Sequence, residues 1–393
     1  MSITLSDRVQ RIKPSPTLAV TARAAALRAE GRDIIGLGAG EPDFDTPAHI
    51  KQAAIEAINA GFTKYTAVDG TPSLKKAIIE KFSRDNGLDY KPEQILVSCG
   101  GKQSFFNLCV ALLNTGDEVI IPAPYWVSYP DMVLVADGTP VIVDTKMEDG
   151  FRMTAEALEA AITPQTRLVV LNSPSNPTGK AYGRADWQAL AEVLLRHPHV
   201  LIATDDMYEH ILWTEEPFSN ILMVCPELYD RCIVLNGVSK AYSMTGWRIG
   251  YAGGPASLIK AMSKAQSQST SNPASISQKA AEAALAGPQQ CVADMVRAFR
   301  ERHDWLVAAL NGLDGVECIQ SDGTFYAFPS FQGMIDNLDG VENDVQLGEY
   351  LLDKAEVALV PGSAFGAPGH MRLSFATSMD NLKNAIARIA DAV

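Results

Sequence analysis

The stretch VLNGVSKAYSMTGWRIGYAGGP, residues 234–255, decides the fold, because its apolar start predicts a buried strand that ends just before Lys240. A second apolar run, VLIATDDMYEH at 200–210, predicts another buried strand, with Asp205 at its carboxyl end and Tyr208 just beyond. Open α/β sheets bind their ligands at the carboxyl ends of parallel strands. We therefore expect these three side chains to meet at one edge of a sheet.

These groups, with Arg248 from the first stretch, have the chemistry needed to hold pyridoxal phosphate. Lys240 offers a nucleophilic amine, Asp205 a carboxylate for a ring nitrogen, and Arg248 a guanidinium for a phosphate. Taken singly, each residue has a more ordinary interpretation, namely a solvated lysine, a helix-capping aspartate and a surface ion pair. Their joint spacing favours the cofactor-binding interpretation.

Length and composition indicate a globular enzyme of more than one domain. The chain has 393 residues, of which 47% are hydrophobic and 20% charged, and its net charge is −13. It has no block rich in lysine and arginine and no apolar run of membrane-spanning length, so neither a nucleic acid nor a membrane is an expected partner. The start of the sequence lacks an apolar leader, so we expect a cytoplasmic protein. The six cysteines form no C-x-x-C pair, and no metal site is expected.

Short apolar runs alternate with helical patterns from about residue 46, which predicts an α/β fold with a mostly parallel sheet covered by helices on both faces. The predicted strands are QILVS (94–98), DEVIIP (117–122), TPVIV (139–143), RLVVL (167–171), VLIAT (200–204), CIVLN (232–236) and RIGYAG (248–253). After about residue 290 a long charged helix and short strand candidates at 324–328 and 371–375 predict a smaller α+β domain. The expected organisation is an N-terminal arm that joins the small domain (1–45), a large cofactor-binding domain (46–290) and a small C-terminal domain (291–393).

Three further motifs lie at or near predicted strand ends. QILVS runs into Cys99-Gly100-Gly101-Lys102 and a helical pattern, and a glycine-rich turn at a helix N-terminus suits a phosphate. Trp126, in APYWVSYP, offers an aromatic face for a planar ring. NSPSNPTG at 172–179 has two X-Pro bonds and predicts a rigid turn, open to cis bonds, that fixes the amide of Asn176 for a phenolic oxygen or a carboxylate.

Together these motifs resemble those of the class I aminotransferases of fold type I, the aspartate aminotransferase-like superfamily, and most closely its bacterial subgroup. The matching segments are AGEPDFDTP (39–47), KYTAVDGTPSLKKAI (64–78), GGKQ (100–103), PYW (124–126), NSPSNPTG (172–179), DDMYE (205–209), SKAYSMTGWRIGY (239–251) and MRLSFA (371–376). The resemblance covers nearly the whole chain. It implies a two-domain α/β fold, pyridoxal phosphate as cofactor, and a homodimer with shared active sites.

The resemblance also implies a role for each residue of the site. Lys240 would form the Schiff base and then act as the base, with Asp205 on the ring nitrogen and Tyr208 on the ring oxygen. Arg372 would clamp the α-carboxylate of the substrate. The remaining implied contacts are Asn176 on the ring oxygen and, with Gly40, beside the substrate; Trp126 stacked on the ring; Gly101, Lys102, Ser239 and Arg248 at the phosphate; and Tyr65 reaching that phosphate from a second subunit.

Two positions depart from the pattern of the animal aspartate aminotransferases. Gly237 stands where those enzymes have a phosphate-binding serine, so Ser239 or backbone groups are expected to replace it. Ser267 stands where they have an arginine for the distal carboxylate of the substrate. We therefore expect Lys102, with a hydroxyl from Ser15, to hold that distal carboxylate, or Lys102 to support the phosphate instead.

The expected reaction is transamination between an L-amino acid and a 2-oxo acid such as 2-oxoglutarate. Aspartate is the favoured donor, and aromatic or prephenate and arogenate substrates stay open. One alternative keeps the cofactor but changes the reaction to that of a lyase, either one that cleaves C–S bonds or one that forms a cyclopropane. A second alternative is a ligand-sensing regulatory domain, which the acidic balance and the lack of a helix-turn-helix pattern disfavour.

Overall fold

The structure, a computed structural model, describes residues 3–393. The strands are β1 (Ile35–Gly36), β2 (Ile95–Ser98), β3 (Glu118–Ala123), β4 (Thr139–Asp144), β5 (Thr166–Asn172), β6 (Leu201–Asp205), β7 (Cys232–Gly237), β8 (Gly250–Gly253), β9 (Tyr326–Ala327), β10 (Val357–Ala358), β11 (Val360–Pro361) and β12 (Met371–Ser374). The helices are α1 (Asp7–Gln10), α2 (Pro16–Ala29), α3 (Ala48–Asn59), α4 (Pro72–Lys81), α5 (Gly101–Leu112), α6 (Ser128–Val135), α7 (Ala155–Ala161), α8 (Arg184–Arg196), α9 (Ile221–Val224), α10 (Ala256–Ser267), α11 (Ser275–Ala286), α12 (Gln290–Leu310), α13 (Gln332–Asn337), α14 (Asp344–Lys354) and α15 (Met379–Ala392).

The larger sheet has seven strands in the order β2-β8-β7-β6-β5-β3-β4. Only β8 runs antiparallel to its neighbours β7 and β2; the other strands share one direction. Strands buried on both faces must be apolar throughout, and β7 is buried at every position. The mostly parallel sheet predicted from the sequence is therefore confirmed, with the difference that RIGYAG begins its strand at Gly250 and supplies the antiparallel member.

Helices cover both faces of this sheet. One face packs against α4, α8 and α11, with Phe82 and Trp187 among the fully buried side chains of that cluster. The other packs against α5, α6 and α10, around Phe105 and Met262. The amphipathic patterns of these helices explain why each presents one apolar stripe to the sheet.

A second group of elements surrounds the three-stranded antiparallel sheet β11-β12-β9 and the parallel pair β1-β10. Its core contains side chains of α12, α14 and α15, such as Phe299, Leu347 and Ile389. Because β1 pairs with β10, the N-terminal segment joins the C-terminal elements. We propose that the two groups are the predicted large and small domains, with boundaries near residues 45 and 290. None of the helices within residues 3–393 is long and apolar enough to cross a membrane.

A buried ion pair fixes the loop that follows β6 onto α4. The ammonium of Lys81 is fully buried and contacts the carboxylate of Glu209, which also accepts hydrogen bonds from Asn86 and Asn236, each at 2.8 Å. Burial opposes ionisation of Glu209, but Lys81 and the other donors outweigh it and hold the pKa of that carboxyl below its usual value. Removing one partner of such a pair leaves an uncompensated buried charge.

We predict that Lys81→Met lowers the free energy of unfolding by about 3–5 kcal/mol, the range for breaking a buried ion pair. Lys76→Met is the matched control on the same helix, because the Lys76–Glu80 pair is exposed and should contribute no more than about 0.5 kcal/mol. Urea unfolding followed by circular dichroism measures both. A Lys81→Met protein as stable as the control would contradict the importance of this ion pair.

Candidate active site

A cavity of about 450 Å³ opens at the carboxyl ends of β5, β6 and β7, facing β12 and the start of α2. Ligand cavities of this size at strand ends are typical of open α/β sheets. Tyr65 excepted, every residue that the sequence predicted for the site lines it. These are Ser15, Gly40, Gly101, Lys102, Trp126, Asn176, Asp205, Tyr208, Ser239, Lys240, Arg248 and Arg372.

Lys240 follows the end of β7 at Gly237, so its side chain starts at the carboxyl end of that strand and lines the cavity. Its Nζ donates a hydrogen bond to the backbone oxygen of Gly40, in the loop after β1. Burial lowers the pKa of Lys240 to about 8, and the positive charge of Arg372 adds to the effect, whereas Glu41 opposes it. A lysine with this pKa is partly neutral at physiological pH, and the neutral amine is the nucleophilic form.

Asp205 is the last residue of β6 and presents a half-buried carboxylate to the cavity. The hydroxyl of Tyr129 donates to one of its oxygens, and the backbone N–H of Met207 donates to the other at 3.3 Å. Burial raises the pKa of Asp205, against the opposing effect of Tyr129, Met207 and the Lys240 ammonium. A carboxylate held in this way is suited to pair with a cationic ring nitrogen.

Asp206 follows the last residue of β6 and does not line the cavity, as expected because neighbouring residues of an extended segment point to opposite sides. Its carboxylate accepts from the hydroxyl of Thr204 at 2.6 Å and from the amide of Asn220 at 2.7 Å. Burial, and next to it the negative charge of Glu209, raises the pKa of Asp206 to about 7. The register predicted from the sequence therefore places Asp205, and not Asp206, at the site.

An anion cradle lies at the N-terminus of α5. Gly100 has φ 89°, and a Cβ on it would lie 2.3 Å from Nη2 of Arg248. A Cβ on Gly250 would lie 2.2 Å from the backbone nitrogen of Gly101, so β8 crosses the first turn of α5 at a distance that only glycine allows. Arg248 itself has a positive φ of 57°. Backbone N–H groups, the helix dipole and a guanidinium thus converge where a phosphate would bind.

Lys102 and Trp126 also line the cavity, and they contact each other. Nζ of Lys102 lies 5.2 Å from the ring centroid of Trp126, a cation–π distance. Burial, with the positive charge of Arg248 second, lowers the pKa of Lys102. Trp126 therefore offers one face to a lysine while it lines the cavity as an aromatic wall.

Arg372, on β12, is held on every side. Its guanidinium carbon lies 4.4 Å from the ring centroid of Tyr326 and 5.0 Å from that of Phe365. Nη1 donates to Oδ1 of Asn176 and Nη2 to the backbone oxygen of Gly38, both at 2.8 Å. Its Nε is buried and has no hydrogen-bond partner among residues 3–393. The result is a rigid buried cation with donor capacity left over, which suits a carboxylate.

The positions that depart from the animal enzymes lie outside the cavity. Gly237 is buried at the end of β7, whereas Ser239 lines the cavity as expected. Ser267 ends α10, and its hydroxyl donates to the backbone oxygen of Lys264 at 2.7 Å. Tyr65 is 91% exposed and does not line the cavity of its own chain. Its contact with the phosphate of a second subunit stays a prediction.

Sequence reasoning missed several residues that support the site. Asn172 accepts from the backbone N–H of Asn176 and donates to the backbone oxygen of Asp205, each at 2.9 Å, so it ties the turn after β5 to β6. The peptide bonds before Pro174 and Pro177 in this turn are cis. Tyr129 and Tyr326 were missed as well. Asn172 begins the NSPSNPTG motif and had a signal; the two tyrosines had none.

The residues present fit pyridoxal phosphate. The cavity has an amine of lowered pKa, a half-buried carboxylate, an aromatic wall and an anion cradle in which a Cβ at Gly100 would clash with the guanidinium of Arg248. Lys240, Asp205, Trp126 and Arg248 would hold the aldehyde carbon, ring nitrogen, ring face and phosphate in that order.

The sequence profile described as aminotransferase class I and II matches residues 32–389. The chain belongs to this family. The aspartate/prephenate aminotransferase of Nitrosomonas europaea is 63% identical over 391 residues, with 98% of each chain covered. That of Cereibacter sphaeroides is 57% identical over 389 residues, with 98% of this chain and 97% of the relative covered. The crystal structure of the aspartate aminotransferase from Rhizobium meliloti matches with a TM-score of 0.96 at 53% identity, over 100% of this chain and 99% of that one.

This aminotransferase therefore has the fold, cofactor and reaction class predicted from the sequence. Enzymes of the aspartate aminotransferase type use pyridoxal phosphate. The two-domain α/β fold is confirmed by structural relatives with TM-scores above 0.9. Transamination is confirmed over the lyase and regulatory alternatives. The roles of individual residues stay predictions, which the following two experiments test.

We predict that cofactor-free aminotransferase forms its covalent link with pyridoxal phosphate faster as the pH rises through about 8. The pKa of Lys240 lies below the ordinary 10.5, so its neutral fraction grows from about a tenth at pH 7 to about nine tenths at pH 9. Borohydride reduction and peptide mapping should label Lys240. Lys240→Ala should show neither labelling nor turnover while it stays folded. A rate that keeps rising to pH 10 would indicate an ordinary lysine.

We predict that Asp205→Asn lowers kcat roughly hundredfold to thousandfold, because a neutral amide cannot hold a proton on the ring nitrogen. Asp206→Asn is the matched control on the neighbouring residue. With a pKa of about 7, Asp206 is already partly neutral, so its variant should keep kcat within about tenfold. Steady-state kinetics of both variants check the assignment, and the reverse order of effects would refute it.

Proposed function

We propose that this aminotransferase exchanges the amino group between L-aspartate and 2-oxoglutarate and also accepts prephenate as an amino-group acceptor. The names of the relatives at 63% and 57% identity, aspartate/prephenate aminotransferase in both cases, support aspartate and prephenate as substrates. The observation that carries the proposal is a cavity with two separate cations, Arg372 and Lys102, in addition to Arg248 at the anion cradle. Two cations beyond the phosphate site suit a dicarboxylic substrate.

The proposed mechanism assigns a task to each residue. Pyridoxal phosphate, when bound, supplies an electrophilic aldehyde and a ring that withdraws electrons from the substrate Cα. Lys240 would hold the aldehyde carbon through Nζ and, as a free amine, would take the proton from the substrate Cα as a base. Asp205 would pair with the ring nitrogen and favour its protonated form. Arg372 binds the α-carboxylate and so fixes the orientation of Cα.

Lys102 and Ser15 are the proposed partners of the distal carboxylate. Both line the same cavity, and Ser15 precedes α2 with a side chain that caps no N–H of that helix. Lys102 lies at the start of α5, where its Nζ lies over the ring of Trp126. Ser267 donates to the backbone oxygen of Lys264 within α10. Position 267 therefore offers no arginine to the distal carboxylate of the substrate. The Thermus thermophilus relative, 44% identical over 100% of both chains with a TM-score of 0.94, was solved with maleate, a dicarboxylate.

An amino-donor panel against 2-oxoglutarate tests the substrate assignment. We expect the highest kcat/KM for aspartate, and measurable amino transfer to prephenate with aspartate or glutamate as donor. A preference for an aliphatic monocarboxylic donor would overturn the proposed substrate class while leaving the aminotransferase assignment intact.

We predict that Lys102→Ala lowers kcat/KM for aspartate by about 1–3 kcal/mol, the range for a lost charged hydrogen bond, and spares phenylalanine. Lys383→Ala, at an exposed lysine of α15, is the control and should leave kcat/KM unchanged for both aspartate and phenylalanine. Equal losses on aspartate and phenylalanine would instead place Lys102 at the phosphate or in the fold.

We also propose a homodimer with shared sites, since Tyr65 is exposed in the single chain and matches a residue that reaches the phosphate of a partner. We predict that a mixture of Tyr65→Phe and Lys240→Ala subunits, after exchange, is more active than the mean of the two parent proteins, because each mixed dimer has one site with both changes and one with neither. Sedimentation at working concentration provides the mass. A monomeric protein, or a mixture whose activity equals the mean of the two parent proteins, would count against a homodimer with shared sites. The cytoplasmic location stays a prediction.

A further inference from the structure

Tyr326 lines the cavity and contacts both Tyr208 and Arg372, yet none of the roles above involves it. It is the first residue of β9 and pairs with Ser374 on β12. Arg372 lies two residues before Ser374, so Tyr326 and Arg372 are diagonal neighbours on one face of the sheet. The backbone N–H of Tyr326 donates to the hydroxyl of Thr324 at 3.1 Å, and its backbone oxygen accepts from the hydroxyl of Ser321 at 3.1 Å. The ring therefore starts from a fixed backbone.

The two ends of the Tyr326 side chain contact different parts of the site. Its ring centroid lies 4.4 Å from the guanidinium carbon of Arg372. Its hydroxyl lies 3.1 Å from the hydroxyl of Tyr208. A Cβ on Gly40 would lie 3.0 Å from the Tyr326 hydroxyl. The loop whose Gly40 oxygen accepts a hydrogen bond from Lys240 therefore packs directly on the Tyr326 hydroxyl. All of these groups line the cavity or close it.

The pair of hydroxyls has a defined hydrogen-bond capacity. Each phenol has one proton to donate, and Tyr326 provides the only hydrogen bond to the Tyr208 hydroxyl within residues 3–393. When Tyr208 donates its proton to a bound cofactor, its oxygen can only accept, and Tyr326 is the neighbouring donor. A hydrogen bond from Tyr326 to Tyr208 would strengthen the bond from Tyr208 to the cofactor, because consecutive hydrogen bonds polarise one another.

We propose that Tyr326 is a positioning residue with two tasks: its hydroxyl donates to Tyr208 and strengthens the bond from Tyr208 to the cofactor ring oxygen, and its ring holds Arg372 for the substrate carboxylate. The first task rests on the role proposed above for Tyr208. The second rests on the cation–π contact alone. One side chain thus couples the cofactor side of the cavity to the substrate side.

The hydroxyl task has a spectroscopic consequence. A donor on the ring oxygen stabilises the negative form of that oxygen, which makes the cofactor–lysine linkage lose its proton at lower pH. Tyr326→Phe removes the second donor, and the midpoint of the absorbance titration of the bound cofactor should rise by roughly a few tenths to one pH unit. The KM for aspartate should stay within about twofold, since Phe keeps the ring under Arg372.

Three companion variants make the titration decisive. Tyr208→Phe should raise the midpoint by more than Tyr326→Phe does, and the double variant should match Tyr208→Phe, because Tyr326 acts only through Tyr208. Tyr182→Phe removes another buried phenol, which accepts from the backbone of Met153 at 2.9 Å outside the cavity, and should leave the midpoint unchanged. This control separates the proposed hydrogen-bond chain from a general effect of losing a buried hydroxyl.

The ring task is tested by Tyr326→Leu. Loss of the aromatic face should raise KM for aspartate roughly twofold to thirtyfold, the range for a cation–π contact, with a smaller change in kcat. Circular dichroism and the absorbance of bound cofactor confirm that the variant is folded and loaded. If Tyr326→Leu does not fold, the comparison of KM between Tyr326→Phe and a Tyr326→Met variant replaces it.

The outcomes separate the two proposals. A shifted midpoint in Tyr208→Phe with no shift in Tyr326→Phe overturns the hydroxyl task and leaves the role of Tyr208 intact. No shift in either variant overturns the role of Tyr208, and the hydroxyl task with it. An unchanged KM in the folded variant that lacks the ring overturns the ring task. The expected pattern is a midpoint that follows the hydroxyl and a KM that follows the ring.

Discussion

The hydrogen bond from Arg372 to Asn176 is the contact on which the site depends, because it joins the strand β12 to the turn that follows β5. Arg372 belongs to the three-stranded sheet and Asn176 to the turn after a strand of the seven-stranded sheet, and residues from both regions line the cavity. The Arg372 guanidinium needs acceptors once it is buried, and the turn supplies one at 2.8 Å. Lys180 and Asp322 add an ion pair between the same regions at 2.8 Å. The geometry of the substrate pocket is therefore a property of the junction between the two sheets.

Burial and neighbouring groups determine what each charged residue in and near the site can do. Asp205 and Asp206 are adjacent, yet one faces the cavity and the other is enclosed by Thr204 and Asn220. Lys81 is fully buried with a carboxylate partner, whereas Lys240 is half-buried and has neighbouring cations. Lys81 is paired within the fold, whereas Lys240, with its lowered pKa, is partly neutral at physiological pH and can act as a nucleophile.

The sequence predicts the parts of this structure that depend on local pattern. Apolar runs locate β2 to β8, and the polar residues that follow β6 and β7 identify Asp205, Tyr208 and Lys240 from the sequence alone. Arg372 and Tyr65 come only from the family resemblance, since neither lies in a distinctive local pattern. Tyr129, Gly38 and Tyr326 could not be found, because each reaches the site through a contact between distant segments. The antiparallel direction of β8 follows likewise from its neighbours in the sheet and not from its own residues.

The pairing of β1 with β10 has a consequence for how the protein is made. A ribosome releases the chain from its N-terminus, and the seven strands of the large sheet emerge before β10 and β12 do. Lys240, Asp205 and Arg248 are thus available to a nascent chain, whereas Arg372 is not, and β1 must wait for a partner that is translated much later. The residues proposed to hold the cofactor are therefore synthesised before the residue proposed to bind the substrate carboxylate, and the cavity is complete only after the last strands have been translated.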